Sequence, residues 1–287
     1  MNPTEEFLEH RELLFSIVYN VLGSVADTED VLQETWLAWS GRSGVENPRA
    51  YLVRVAVNAA LARRTSISRR KEEYVGPWLP EPVVTPIDPV ERSEAVSLAV
   101  LVVLETLSPL ERAVFVLHEV FGYQLAEIAD ILGRTPAAVR QLAHRAREHV
   151  QARRPRFVAD PQVRLEVTQR FVDAIVGGDL DALLEVLAPD VTLWADGGGK
   201  AKAPLRPIHG ADKIARFFVA IGAEALPPGA SIEIVEVNEG PAAVLVGPAG
   251  AIAVLQLDLG DDRRVTDLRL VGNPDKLTGL AALRTAE

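Results

Sequence analysis

The chain contains no cysteine, which excludes a disulfide framework and any thiolate metal site and fits a reducing compartment. No apolar run approaches the roughly 18 residues that a membrane-spanning helix needs. The N-terminal stretch "MNPTEEFLEHRELLF" carries acids where a secretion signal carries positive charge. Together these absences predict a soluble cytoplasmic protein with no membrane association, and no cofactor or metal is expected. Excess positive charge is missing too: 30 Lys+Arg stand against 40 Asp+Glu, a formal net charge of −10. A protein held on nucleic acid by bulk phosphate attraction would be far more basic, so any grip on DNA alone is expected to be weak without a partner.

What is present is length and apolar content. The 287 residues, 48% of them hydrophobic, suffice for two or three globular domains, each with its own core. Charge is unevenly divided: residues 1–156 hold 18 basic and 21 acidic side chains (−3), and residues 157–287 hold 12 and 19 (−7). Three helices are predicted within 5–64, in "EEFLEHRELLFSIVYNVLG", "DTEDVLQETWLAWS" and "NPRAYLVRVAVNAALARR". Gly23 closes the first, Asp27 or Thr28 caps the second, and Asn47-Pro48 opens the third. The following "GPWLPEPVVTPIDPVE" places Pro77, Pro80, Pro82, Pro86 and Pro89 too densely for a helix and reads as a semi-rigid strap. Helical periodicity returns from about residue 91 to about 150, with breaks near Ser108-Pro109 and Gly122. Beyond Pro155 the composition shifts to an α+β module: helix, short helix and strand in "VTQRFVDAIVGGDLDALLEVLAPDVTLWADGGG", then β-rich runs across 231–271.

The segment "GYQLAEIADILGRTPAAVRQLAHRAREHV" carries the most specific local pattern. Leu125, Ile128, Ala129 and Leu132 line one face of a short helix that ends at Gly133. Thr135-Pro136 then caps a second helix with the stripe Val139, Leu142, Ala143, Ala146 and Val150. Its opposite face presents Arg140, Gln141, His144, Arg145 and Arg147, and between 134 and 156 seven Arg stand against Glu148. This is the helix-turn-helix arrangement, whose second helix enters a major groove. Helical hairpins of this shape also pack in bundles with no DNA near, and both readings stand at this level.

Two further surfaces are unusual. In the second helix Leu32, Thr35, Trp36 and Trp39 share the inward face, leaving Asp30, Gln33, Glu34 and Leu37 as a stripe that is either solvated or a docking site for another helix. In the third, Leu52, Val55, Ala56 and Ala59 are expected to pack inward, with Arg54 and Asn58 stacked opposite and Arg63, Arg64, Arg69, Arg70 and Lys71 following. An Asn flanked by Arg can reach base edges, whereas an Arg run tracks phosphate or is a solvated helix end.

With "LSPLERAVFVLHEVFGYQLAEIADILG" and "AAVRQLAHRARE" added, residues 5–150 resemble regions two and four of bacterial sigma factors of the extracytoplasmic-function class. "YVGPWLPEPV", "DGGGK" at 196–200 and "NPDKL" at 273–277 are further similar to the subgroup with a C-terminal SnoaL-like extension. The resemblance implies two all-α modules, the second with a helix-turn-helix, followed by an α+β SnoaL-like cone with a curved sheet. The implied domains are region two at 1–73, a Pro-rich linker at 74–92, region four at 93–155 and the extension at 160–287. It implies promoter recognition by RNA polymerase, with Asp30, Gln33, Glu34 and Leu37 docking on the β′ coiled coil of the core enzyme. Arg54, Asn58, Arg63 and Arg64 would serve the minus-ten element, and Arg140, Gln141, His144 and Arg145 the minus-35 element of promoter DNA. Arg140 and Gln141, nearest the helix N-terminus, are the expected base contacts, and Arg134, Arg145 and Arg147 the phosphate contacts. Leu142-Ala143 stands where relatives often carry Arg-Leu.

The extension invites two readings. In the regulatory one it packs on the linker through Trp78, Leu79 and Pro80, using Asp196, Gly197, Gly198, Gly199 and Lys200 with Asn273, Pro274, Asp275, Lys276 and Leu277. An exposed Trp78 is costly, so its burial is expected on either the helical module or the extension. In the other, Trp194, Asp196, Lys200 and His209 point into the cone and handle an unknown small ligand or a proton transfer. That second reading keeps two rivals open: a one-component DNA-binding regulator, and a SnoaL-like enzyme with an appended DNA-binding module. The regulatory reading has no catalytic residue.

Overall fold

The computed structural model describes residues 2–42, 44–84, 96–153, 159–223, 227–280 and 283. Pro86, Pro89 and Arg156 therefore lie outside the described residues, as do the expected domain boundaries at 92 and 155. Two compact units result. The helical one is built chiefly from residues before 74 and from 100 to 153, and the other from 74–84 together with the chain beyond 159. Among the described residues no helix is long and apolar enough to cross a membrane.

Helix α1 (Pro3–Leu22) begins in a reciprocal cap, Asn2 accepting from the Thr4 amide and Glu5 accepting from the Asn2 amide, and ends at Gly23 with φ 74°. Helix α2 (Val25–Ser40) is capped by Ser24, not by the expected Asp27 or Thr28, because the Asp27 carboxylate is drawn to two arginines of the next helix. Helix α3 (Pro48–Glu72) opens on Asn47-Pro48 as expected but runs eight residues past Arg64. Its buried stripe is Leu52, Val53, Ala56, Val57, Ala60, Arg64 and Ile67, with Val55 and Ala59 only half-buried. After α4 (Leu98–Leu104), the Ser108 and Glu111 cap starts α5 (Pro109–Phe115), which loosens into a π turn at Val116–Val120. Helices α6 (Leu125–Leu132) and α7 (Pro136–Arg153) follow, separated by Gly133 at φ 60°, with the Thr135 hydroxyl accepting from the Ala138 amide. Val139, Leu142, Ala143, Ala146 and Val150 are all buried. Position 142 is thus a core site of this chain, where a leucine loses nothing by lacking charge.

The second unit is a six-stranded open sheet in the order β2-β1-β6-β5-β4-β3. Strands β1 (Leu187–Asp196) and β6 (Val265–Val271) are parallel. The other pairings, with β2 (Ile208–His209), β3 (Ser231–Val237), β4 (Gly240–Gly247) and β5 (Gly250–Leu259), are antiparallel. Helices α8 (Pro161–Gly177), α9 (Leu180–Val186) and α10 (Ala211–Ala223) cover one face. There Phe171, Leu183, Ile214 and Phe218 meet Val191, Leu193, Leu255, Leu257 and Leu268. Each such large side chain contributes about 1.5–3 kcal/mol on burial. Helix α10 was not among the elements the pattern indicated, although Ile214, Ala215 and Phe218 supply its buried stripe.

Candidate functional site

On α7, Arg140, Gln141 and His144 are exposed, as is Arg134 in the preceding turn. Arg145 pairs with Glu111 at 3.0 Å, Arg147 donates to Glu119 at 2.5 and 3.1 Å, and His144 lies 3.6 Å from Glu148 one turn on. Glu119 stands in the π turn at Val116–Val120. Arg140 and Gln141, in the second turn of α7, thus present themselves outward, whereas Arg145 and Arg147 are each held by a carboxylate.

The four expected minus-ten residues do not share one surface. Arg54 is exposed and lies over the Tyr51 ring at 5.7 Å. The Asn58 amide donates to Arg54 O at 2.7 Å and to Ile131 O, at the end of α6, at 2.9 Å. Arg63 turns toward α2 and reaches Asp27, Asp30 and Glu34. Arg64 is only 4% exposed and donates to Leu22 O at 3.1 Å and to Glu105 at 2.8 Å. In this arrangement Arg63 and Arg64 are therefore committed elsewhere. Glu105 also receives Arg112 at 2.5 Å and an ion pair from Lys71, so three cations share one carboxylate. Arg112 is fully buried, donates from Nε to Asn20 O at 2.8 Å, and leaves one terminal nitrogen without a partner among the described residues. Burial lowers both guanidinium pKa values, Arg64 to about 10 and Arg112 well below its ordinary value, the latter helped by the charge of Arg64. Sequence reading missed Glu105 and Arg112; a charged pair within the apolar stretch 98–117 was the available signal.

On α2 the acidic stripe is outward: Asp30, Gln33 and Glu34 are exposed and Leu37 is 72% exposed. Leu32, Thr35 and Trp39 are buried behind it, with Trp36 half-buried.

The three motifs of the second unit converge on Asp196, which is fully buried at the end of β1. One carboxylate oxygen accepts from the Tyr74 hydroxyl at 2.5 Å. The other accepts from the Leu79 amide at 2.8 Å and from Lys276 Nζ at 2.6 Å. Lys276 also donates to Leu79 O at 2.6 Å, and its ammonium sits 3.6 Å from the centre of the Trp78 ring and 4.7 Å from that of Tyr74. Asn273 donates to the Tyr74 hydroxyl at 2.7 Å, and its own amide and that of Gly272 bind Asp196 O. Burial, then the adjoining Asp196 carboxylate, pushes the Tyr74 phenol far up, so it stays a donor at any physiological pH. Gly198, at φ 57°, has no room for a side chain, since a Cβ there would meet Asn273 and lie 2.7 Å from the Tyr74 hydroxyl. Gly197 is closed off by Ala201 O, and Gly199 at φ 71° carries the turn on. Outside this centre Lys200 pairs with Asp275 at 2.5 Å, after Pro274 has opened a short 3₁₀ turn that buries Leu277.

Leu79 and Pro80 are buried, and the strap continues to the β3–β4 turn. There the Val83 amide donates to the Asn238 side chain at 3.0 Å, the Asn238 amide donates back to Val83 O, and Val84 bridges Val237. Tyr74 and Asn238 were not singled out in sequence; Tyr74 opens the quoted linker motif, and Asn238 holds the left-handed turn position an Asn tolerates. Trp78 is half-buried in the second unit, edge-on to Tyr74 at 4.6 Å.

The expectation that Trp194, Asp196, Lys200 and His209 point into the cone is corrected. Side chains alternate along β1, and Val191 and Leu193 face the helices. Thr192, Trp194 and Asp196 therefore face away, with His209 beside Thr192 at 3.1 Å. Asp196 and His209 are not brought together, and the helix-covered face is lined by apolar side chains.

Family comparisons agree with this geometry. Residues 7–70 match Sigma-70 region 2, residues 97–150 match Sigma-70 region 4, and residues 168–266 match a SnoaL-like domain. The chain is 38% identical over 291 residues to the ECF RNA polymerase sigma factor SigJ of Mycobacterium tuberculosis, covering 96% of this chain and 93% of that protein. It is 36% identical over 190 residues to the probable ECF RNA polymerase sigma factor SigI of the same species, covering 63% of this chain and 66% of that protein. The crystal structure of Mycobacterium tuberculosis SigJ superposes with a TM-score of 0.77 at 36% identity, covering 96% of this chain and 99% of that one. The helix-turn-helix, the outward acidic stripe and the sheet that grips its own linker thus belong together, and the chain is a member of the extracytoplasmic-function sigma factors that carry a C-terminal SnoaL-like domain.

Proposed function

We propose that this sigma factor brings core RNA polymerase to promoters through the surfaces described above, and that its SnoaL-like unit controls it by holding the linker between the two reading modules. Arg140 and Gln141 read the minus-35 element, Arg134, Arg145 and Arg147 meet phosphates, and Arg54 and Asn58 serve the minus-ten element. The acidic stripe with Leu37 docks on the β′ coiled coil. The domain divisions follow the same logic: region two to residue 73, a linker to 92, region four to 155, and the extension from 160.

The observation that carries the regulatory part is the Asp196 centre, where a buried carboxylate and the Lys276 ammonium bind the backbone of Leu79 from both sides. Promoter elements some two dozen base pairs apart lie about 80 Å from each other at 3.4 Å per pair. Linker length and freedom therefore decide whether both are reached. Asp196 is already committed to three donors, which supports a regulator and not an enzyme.

Arg140→Ala is expected to lose about 1–3 kcal/mol of promoter binding and to change sequence preference at one position. Equal loss on every promoter sequence would make Arg140 a phosphate contact. Asp196→Asn is expected to shift transcription by core polymerase from a cognate promoter; unchanged output with a demonstrably freed linker refutes the regulatory part.

A further inference from the structure

We infer that Arg63 is a positioning residue of the polymerase-docking face and not a contact of the minus-ten element. This rests on the docking role proposed for Asp30, Gln33, Glu34 and Leu37.

At about 100° per residue, Arg63 lies roughly 140° around α3 from Asn58 and half a turn from Arg54, so it cannot follow the same track of DNA. It points at α2 instead. Its Nε donates to Asp27 Oδ1 at 2.9 Å, one terminal nitrogen binds Asp30, and the other lies 3.6 Å from Glu34. These acids are spaced i, i+3, i+7, so one guanidinium spans two turns of the stripe. Without it the exposed Asp30 and Glu34 carboxylates, four residues apart on one face, would repel each other. The anchor is firm because Asp27 is buried and is also held by Arg70 at 2.6 Å, independently of Arg63.

Two opposed effects on docking follow. Arg63 neutralises part of the charge that attracts a basic partner, which reduces association, and it fixes two otherwise mobile carboxylates, which slows dissociation. Asp30 and Glu34 remain more than half exposed, and a carboxylate offers about four acceptor sites, so the pairs leave room for the polymerase's own donors. The fixing effect therefore prevails.

The test uses the full chain and immobilised core RNA polymerase. Arg63→Ala is expected to raise the dissociation rate about three- to tenfold while association is no slower and becomes more salt-dependent. Arg63→Lys should fall between, because an ammonium cannot span two carboxylates as a planar guanidinium does. A general loss of structure would slow association as well, and melting curves of Arg63→Ala and Arg63→Gln guard against it. Leu37→Asp tests the face itself. If it leaves polymerase binding intact, the docking reading falls and this inference with it. If Leu37→Asp weakens binding but Arg63→Ala leaves dissociation unchanged, or tightens the complex, the positioning role alone is overturned. Weaker promoter binding by Arg63→Ala, with a salt slope reduced by about one and normal polymerase binding, would make it a phosphate contact.

Discussion

Replacing Glu105 with Gln removes the charge shared by Arg64, Arg112 and Lys71 while keeping the side chain's volume. Breaking a buried ion pair from one side costs about 3–5 kcal/mol, because the surviving charge remains desolvated. Glu105 is 12% exposed, which favours the lower end, about 3 kcal/mol, and lowers the melting temperature of the helical unit by about 10 °C. The cluster is unusual in holding more cations than it can compensate, so its members are not equivalent. Arg64→Gln gives up charge-assisted hydrogen bonds, but it also relieves repulsion on the fully buried Arg112, whose pKa the Arg64 charge helps to depress. Its net cost should be about 1 kcal/mol. Thermal and urea unfolding of both variants, followed by far-ultraviolet circular dichroism, measure the difference. The reasoning is refuted if Glu105→Gln costs less than about 1 kcal/mol, or if Arg64→Gln costs as much as Glu105→Gln.

Removing the Lys276 ammonium, as in Lys276→Met, leaves Asp196 with two neutral donors and should free the linker. Limited proteolysis is expected to cut within residues 74–84 several times faster, and an unchanged rate would show that the hydrophobic contacts of Leu79 and Pro80 suffice. The Asp27 carboxyl gives a pH signature: burial pushes it up, but hydrogen bonds from Arg63, Arg70 and Ser24 outweigh this and hold it below the usual range. A depressed folded-state pKa means the contribution is full above the unfolded value of about 3.9 and fades as pH falls through the folded one. Acid unfolding of the helical unit should therefore show a step below pH ~4 that Asp27→Asn removes; a step of equal size in that variant would assign it to other carboxylates.

Local punctuation made much of the fold legible. Asn47-Pro48, Ser108-Pro109, Gly133 and Thr135-Pro136 each mark a helix end where backbone chemistry leaves few choices. The convergence of "WLPEP", "DGGGK" and "NPDKL", Asp196 included, is legible through family resemblance, whereas the burial of that carboxylate and its bonds to Tyr74 and Lys276 are marked by no local pattern. The arginines of α3 show why the rest was hidden. Arg63 and Arg64 are neighbours in sequence, yet 100° of helix turn sends one to the acids of α2 and the other into the core. Which acid awaits each is decided 29 to 41 residues away, beyond the reach of any periodicity. Trp194 and Asp196 failed in a related manner: alternation placed them on one face correctly, but only the helices' choice of the other face fixed which side was the interior.

The bond from the Asn58 amide to Ile131 O joins α3 to the last turn of α6, the helix that precedes α7. On the proposed assignment of α3 to the minus-ten element and α7 to the minus-35 element, two reading heads clasped in this way are not free to lie each on its own element, and parted molecules are the competent ones. Apparent affinity is then the intrinsic affinity scaled by the parted fraction: were that fraction about one in a hundred, promoters would experience a factor wanting roughly a hundredfold more concentrated. On that assignment, whatever separates the heads acts as a gain control on transcription without touching a single base contact.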